Sequence, residues 1–332
     1  VSNYRELKGY NVKSVSSDPS NLKLGQVWYN STLGSIKVAP KLDSWAAGGS
    51  LNTARGYLSA ASAGTQNATL GFGGNAPPAA QMNNSESYNG STWTATPTLN
   101  AGRRMLGGAG TQTAALAFGG FRDSPAGPPF TGKGTVTEDF DGSSWTTAPA
   151  TMGTGVNLFA SFGTNTAAVA ATGTEGTQTQ LYNGSAWTTS PASVNTGRFD
   201  LAGAGTQTAG VIFGGLTPPS GPPYTASSAT EEWSGSSWTT GGALNTARRG
   251  PGGAGTQTAA LAAGGGPPYV NATEVYDGTS WTNKTNLTTT RGSTAGAGTQ
   301  AAGLIFGGHK PAAANETEEF TFDATPRTVD VS

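Results

Sequence analysis

Gly110-Thr111-Gln112-Thr113 is one of six versions of a single phrase. The others are Gly64-Thr65-Gln66-Asn67, Gly163-Thr164-Asn165-Thr166, Gly205-Thr206-Gln207-Thr208, Gly255-Thr256-Gln257-Thr258 and Gly298-Thr299-Gln300-Ala301. Steps of 46, 53, 42, 50 and 43 residues separate their first glycines. A fixed period of roughly 40–50 residues marks a repeat architecture built from one supersecondary unit. No 3.6-residue apolar period runs between the phrases, so the units are not helical.

Working outward from the phrase, each unit reads as four strands. A small-residue stretch such as Arg104-Met105-Leu106-Gly107-Gly108-Ala109 leads into it, and Ala114-Ala115-Leu116-Ala117-Phe118 leaves it and stops at Gly119-Gly120. After a Pro-rich loop comes Thr135 to Phe140, then the tight turn Asp141-Gly142, which suits the positive φ of a primed hairpin. A fourth strand opens at Trp145, and the same turn-then-Trp order recurs at Trp93, Trp187, Trp238 and Trp281. Small residues fit inner strands that converge on a narrow axis, and a large Trp fits an outer strand that covers a neighbouring unit. The expected fold is all-β, a six-bladed β-propeller.

A Gly-Gly pair closing one strand, an acidic-aromatic strand and a downstream Trp together resemble the kelch repeat. The pair stands at Gly73-Gly74, Gly119-Gly120, Gly214-Gly215, Gly264-Gly265 and Gly307-Gly308, and the third unit departs with Ala171-Thr172-Gly173. The resemblance runs from residue 44 to about 323 and implies a kelch-like propeller. The last unit ends at Thr317 to Phe322 with no Trp after it, whereas Trp45 precedes the first unit. The segment from Ser44 is therefore expected to supply the missing outer strand and close the ring, removing a sheet edge. This divides the chain into an arm (1–43), a propeller (44–323) and a C-terminal tail (324–332).

Strand parity places the Gly-Thr-Gln-Thr and Asp-Gly turns on one face of the propeller, and the loops after Gly-Gly on the other. Both chain ends should leave from the turn face. Three loops on the opposite face carry Pro-Pro-aromatic, which makes Phe130, Tyr224 and Tyr269 candidate ligand contacts. Stiff loops present an aromatic ring at low entropic cost; the alternative is that these loops simply cap the disc. Arg55, Arg103, Arg104, Arg198, Arg248, Arg249 and Arg291 lie just before inner strands, while the third unit has Gly155-Val156-Asn157. Of these, Arg55, Arg104, Arg198, Arg249 and Arg291 are read as a ring at the channel mouth, able to grip a carboxylate or sulfate. The competing reading gives each arginine to carbonyls of the adjoining blade.

Composition excludes much chemistry. Among 332 residues there are 51 glycines and no cysteine, only 11% are charged, and the net charge is −1. Thiolate sites and disulfides are out, no nucleic-acid partner is called for, and no apolar run of about 20 residues suits membrane insertion. Val1 to Gly34 has no hydrophobic stretch of the signal-peptide kind. A copper oxidase propeller is ruled out by the missing cysteine and by His309 standing alone, which reads as a solvated loop residue. Asp141-Gly142 and Asp277-Gly278 lack the spacing of a sialidase Asp-box. Glu138, Glu232, Glu274 and Glu319 take what read as equivalent blade positions, which points to structure rather than catalysis. No cofactor, metal set or catalytic residue is expected.

In the arm, Gly25 to Val38 reads as a β-hairpin whose Val27, Trp28 and Tyr29 need a partner surface. Its Gly25-Gln26-Val27-Trp28-Tyr29-Asn30-Ser31-Thr32 resembles a short module in structural proteins of tailed bacteriophages, especially marine ones, where it often precedes kelch-like repeats. That resemblance implies a non-enzymatic virion protein assembled in the host cytoplasm. Residues 1–43 would bind other virion proteins, and the loop face would meet a host-surface glycan or receptor. The alternatives are a spacer or cement protein without a ligand, and a carbohydrate-active enzyme.

Overall fold

Alanine and glycine dominate the inner strands because six strands must meet around one axis, where a larger residue would collide with its neighbour. A Cβ on Gly108, for example, would lie 2.2 Å from the carbonyl oxygen of Ala60 on the preceding blade. The computed structural model describes residues 12–19, 26–38, 43–76, 81–122, 132–174, 176–217, 222–266, 268–322 and 327–328. It divides into two units, Trp45–Phe320 and Val1–Ser44 with Thr321–Ser332.

The larger unit is a six-bladed β-propeller. Its second blade is typical, an antiparallel meander of Gly107–Thr111, Ala114–Phe118, Thr137–Phe140 and Trp145–Thr147. Blades one, three, four and five occupy residues 59–96, 160–189, 202–240 and 252–284 in the same order. The sixth joins Ala295–Gly298, Ala302–Phe306 and Thr317–Phe322 to Asp43–Ala47, so the strand holding Trp45 closes the ring.

The hydrophobic core lies between blades. Leu70 and Phe72 of blade one, for instance, pack with Ala115, Ala117, Phe140 and Trp145 of blade two. Each outer Trp reaches back to the preceding blade. Trp93, Trp187, Trp238 and Trp281 donate their indole N–H to Thr317, Thr137, Thr179 and Thr230, each at 2.9 Å, and Trp45 donates to Thr273 at 3.1 Å. At the remaining junction the corresponding residue is Ser85, and neither its hydroxyl nor the Trp145 N–H has a partner.

The repeated Gln does more than turn the chain. Gln112 donates to the carbonyls of Tyr88 (2.6 Å) and Thr69 (3.3 Å) on the preceding blade. Gln66, Gln207 and Gln300 tie the second and third strands of their preceding blades in the same way, and Gln257 reaches Trp233. The Gly-Gly pairs have a matching reason. Gly119 and Gly120 hold φ of 61° and 87°, and Gly120 donates its N–H to Val156 at 2.8 Å at the entrance to the next blade. In blade three Thr172 adopts the same left-handed φ (58°), and its hydroxyl accepts the Arg198 N–H at 2.9 Å. That bond offsets the strain a side chain meets there.

Two kinds of junction alternate around the ring. Tyr88 and Tyr276 donate their hydroxyls to Glu319 and Glu232 of the preceding blade, both at 2.6 Å, and Tyr182 faces the charge of Asp139. Blades two, four and six carry Phe140, Trp233 and Phe320 at the tyrosine position, and their preceding blades carry Ser87, Leu181 and Val275 at the acid position. The four glutamates expected at equivalent positions therefore belong to two adjacent ones: Glu138 and Glu274 in one, Glu232 and Glu319 in the next.

The smaller unit differs from the hairpin-plus-tail expectation. Val27–Asn30 pairs antiparallel with Ser35–Val38, Lys13–Val15 joins in parallel, and Arg327–Thr328 adds a fourth strand. The segment expected as a separate tail thus contributes a strand to the arm sheet. Trp28 is 1% exposed and donates to Asp18 at 2.9 Å, so it is not free for a partner. Val27 and Tyr29 alternate onto the other face and are exposed.

Candidate functional site

The residue two positions after each blade-entry arginine (or Val156 in blade three) turns the chain into an inner strand on the loop face. These six are Tyr57, Met105, Leu158, Asp200, Gly250 and Ser293, all with φ between 51° and 57°. Their backbones form a closed hoop. Each N–H donates to the carbonyl of its predecessor: Met105 to Tyr57, Leu158 to Met105, Asp200 to Leu158, Gly250 to Asp200, Ser293 to Gly250, and Tyr57 to Ser293, at 2.6–3.1 Å. Five non-glycine residues hold a left-handed φ because the hoop compensates them, and such strain gathers at functional positions.

The hoop surrounds a cavity of about 80 Å³ at the channel mouth, above an axial space of about 110 Å³ lined by Ser59, Ser161 and Gly203 of the inner strands and by Thr294 just before one. Met105, Leu158, Leu201 and Pro251 supply apolar wall. The polar groups are Tyr57, Asp200, Ser293 and Thr294, with Arg249 beside Asp200 at 3.8 Å.

Asp200 is the unusual member. Its side chain is 7% exposed and accepts no hydrogen bond from a described residue. Burial pushes its carboxyl up to about 6, with Arg249 pulling the other way. Burial and then the Asp200 charge raise the Tyr57 phenol, with Ser293 and Arg249 pulling the other way. Behind Tyr57 lies His309, with ring centroids 5.2 Å apart. His309 is 7% exposed rather than solvated, and burial lowers its pKa. Its ring takes the place of a side chain at Gly56, where a Cβ would sit 2.1 Å away.

The expected arginine ring is largely not a ligand surface. Arg55, Arg198 and Arg291 are fully buried, as is Arg103. Arg198 bonds Glu231 at 2.9 Å and the Gly214 carbonyl at 3.1 Å, Arg291 bonds Glu318 at 2.6 Å, and Arg55 and Arg103 pair with Glu86 and Glu138. Arg248 pairs with Glu274 at 2.9 Å. The partners belong to the blade each arginine introduces, not to the adjoining one. In blade three both charges are absent, with buried Val156 and Gln180 in their places.

Arg104 is half-buried over the Phe121 ring, 5.1 Å away. Arg249 does not line the cavity but stands beside Asp200, which does, with its guanidinium partly exposed. Tyr269 is half-buried and couples electrically to Tyr57, while exposed Tyr224 packs edge-on against Phe199, next to Asp200. Phe130 lies outside the described residues. Of the residues named from the sequence, Arg249, Tyr224 and Tyr269 lie beside the residues of the mouth, whereas Tyr57, Asp200 and Ser293, which line it, were not named.

No protein-family model matches the chain, and no curated protein matches its sequence. Solved structures match its fold. The one titled "Structure of YjhT" superimposes with a TM-score of 0.65 at 13% identity, over 85% of this chain and 99% of that one. At that identity the likeness carries the β-propeller fold alone.

Proposed function

We propose that this chain is a non-enzymatic structural protein of a tailed-phage particle. The arm fixes it to other virion proteins, and the propeller carries its loop face outward for adhesion to a host-surface glycan. One observation carries the reading: both ends of the propeller unit, at Trp45 and Phe320, lie at the turn face, opposite the loops that surround the polar mouth. The exposed Val27 and Tyr29 give the arm sheet an apolar face suited to a protein partner. Among the residues lining the mouth, Asp200 is the sole carboxylate. Glycoside hydrolysis ordinarily takes two, so the mouth suits holding a sugar rather than cleaving it.

Cryo-electron microscopy of the native particle tests this. The expected result is an arm embedded among other virion proteins with Tyr224 and Asp200 facing solvent. Absence of the protein from purified particles, or an outward arm with a covered loop face, overturns the reading.

A further inference from the structure

We infer that the notch between Asp200, Arg249 and Ser293 at the channel mouth binds the hydroxyl-bearing edge of a neutral monosaccharide, with Asp200 as acceptor and Arg249 as donor. This deepens the adhesion reading above and rests on it for its biological setting.

Three observations converge. The Asp200 carboxylate is more than nine-tenths buried, lines the cavity and accepts no hydrogen bond from a described residue. A carboxylate that lines a cavity and has no protein donor is open to a ligand hydroxyl. Second, Gly250 leaves the notch open. A Cβ there would lie 3.1 Å from Asp200 Oδ1 and 3.3 Å from Ser293 Oγ, so glycine keeps both oxygens accessible from one side. Third, the hoop fixes the backbone of Tyr57, Asp200 and Ser293 before any ligand arrives, and preorganised groups bind without an ordering cost.

The charge pattern selects the ligand class. Asp200 and Arg249 stand 3.8 Å apart and nearly cancel. An ammonium would meet Arg249, and a phosphate would meet Asp200. A hydroxyl donates to the carboxylate and accepts from the guanidinium, so two neighbouring hydroxyls satisfy both groups together. The Tyr57 ring, held against His309, offers an aromatic face to the C–H side of a pyranose.

The test uses the full chain and saturation-transfer NMR with calorimetry. The probes are methyl α-D-mannopyranoside, methyl α-D-glucopyranoside and methyl β-D-galactopyranoside, with glucosamine and glucose 6-phosphate as charged comparisons. At least one neutral glycoside is expected to bind, and Asp200→Asn to weaken it about tenfold or more. Asp200→Gly, which also accepts the left-handed φ, should do the same. Thermal melts confirm that the variants fold. Thr146→Ala, exposed on the outer strand of blade two, should leave monosaccharide affinity within about twofold. No binding of any neutral glycoside, preference for a charged probe, or full affinity in folded Asp200→Asn overturns the inference. Failure of the virion reading shows separately: the glycoside would bind in an Asp200-dependent way while the protein is absent from purified particles.

Discussion

The hydroxyl of Tyr88, in the first blade, donates a 2.6 Å hydrogen bond to the carboxylate of Glu319, in the last. The bond spans the junction where the two ends of the propeller meet, and with burial it pushes the phenol up to about 12. Tyr88→Phe removes the donor and leaves the acceptor in place. Urea unfolding should show a loss of about 1–2 kcal/mol, the lower range for a bond to a charged group. Tyr276→Phe, which loses the same bond to Glu232 inside the ring, should cost a similar amount. No change in either variant would remove these bonds from the account of how blades are held.

Buried arginine–glutamate pairs predict a strong non-additivity. Arg198→Val alone strands Glu231, and Glu231→Gln alone strands Arg198, each costing about 3–5 kcal/mol. The double variant reproduces the Val156 and Gln180 found in blade three and should be more stable than either single variant. A double-mutant cycle decides it; simple addition of the two losses would show that the charges act independently.

Ser85→Thr should stabilise the protein. Five outer tryptophans bond a threonine hydroxyl on the preceding blade, while the Trp145 N–H and the Ser85 hydroxyl are both buried without partners. Threonine has a stiffer χ1 and would hold its hydroxyl where the other five do. The expected gain is about 0.5–1.5 kcal/mol in chemical denaturation. A loss would mean that the added methyl has no room.

Asp200 gives a pH signature. Its folded pKa of about 6 lies above its ordinary 3.8, so the folded protein holds this proton more tightly than the unfolded chain. The contribution is fully present below about pH 4 and is lost as pH rises through about 6. Asp200→Asn has no such proton. Its stability relative to the parent should climb across that window by up to about 3 kcal/mol. Parallel profiles for the two proteins would show that Asp200 titrates normally.

The six phrases made the blades legible, because a turn and its flanking strands are local and each copy repeats them. The phrase did not disclose why Gln fills its third position. Its partners are backbone carbonyls such as those of Thr69 and Tyr88, which carry no residue code. The arginines misled for a related reason. Arg198 and Glu231 are 33 residues apart, and their bond appears only when the strands are laid in register. A signal was present: the unit with Val156 for arginine also has Gln180 for glutamate. Asp200 was invisible because its equivalents are Tyr57, Met105, Leu158, Gly250 and Ser293, a position defined by backbone bonding rather than by a side chain. His309 was misplaced because the space it fills is made by a missing side chain at Gly56.

The alternation of junctions imposes a parity rule on the ring. Tyr88, Tyr182 and Tyr276 recur at intervals of 94 residues, the span of two blades. Excising blade three would set Asp139 against Trp233, a carboxylate against an indole. Excising blades three and four together would set Asp139 against Tyr276, acid against phenol once more. Only removal by twos keeps acid facing phenol along these seams, so the counting unit of the alternation is the doublet.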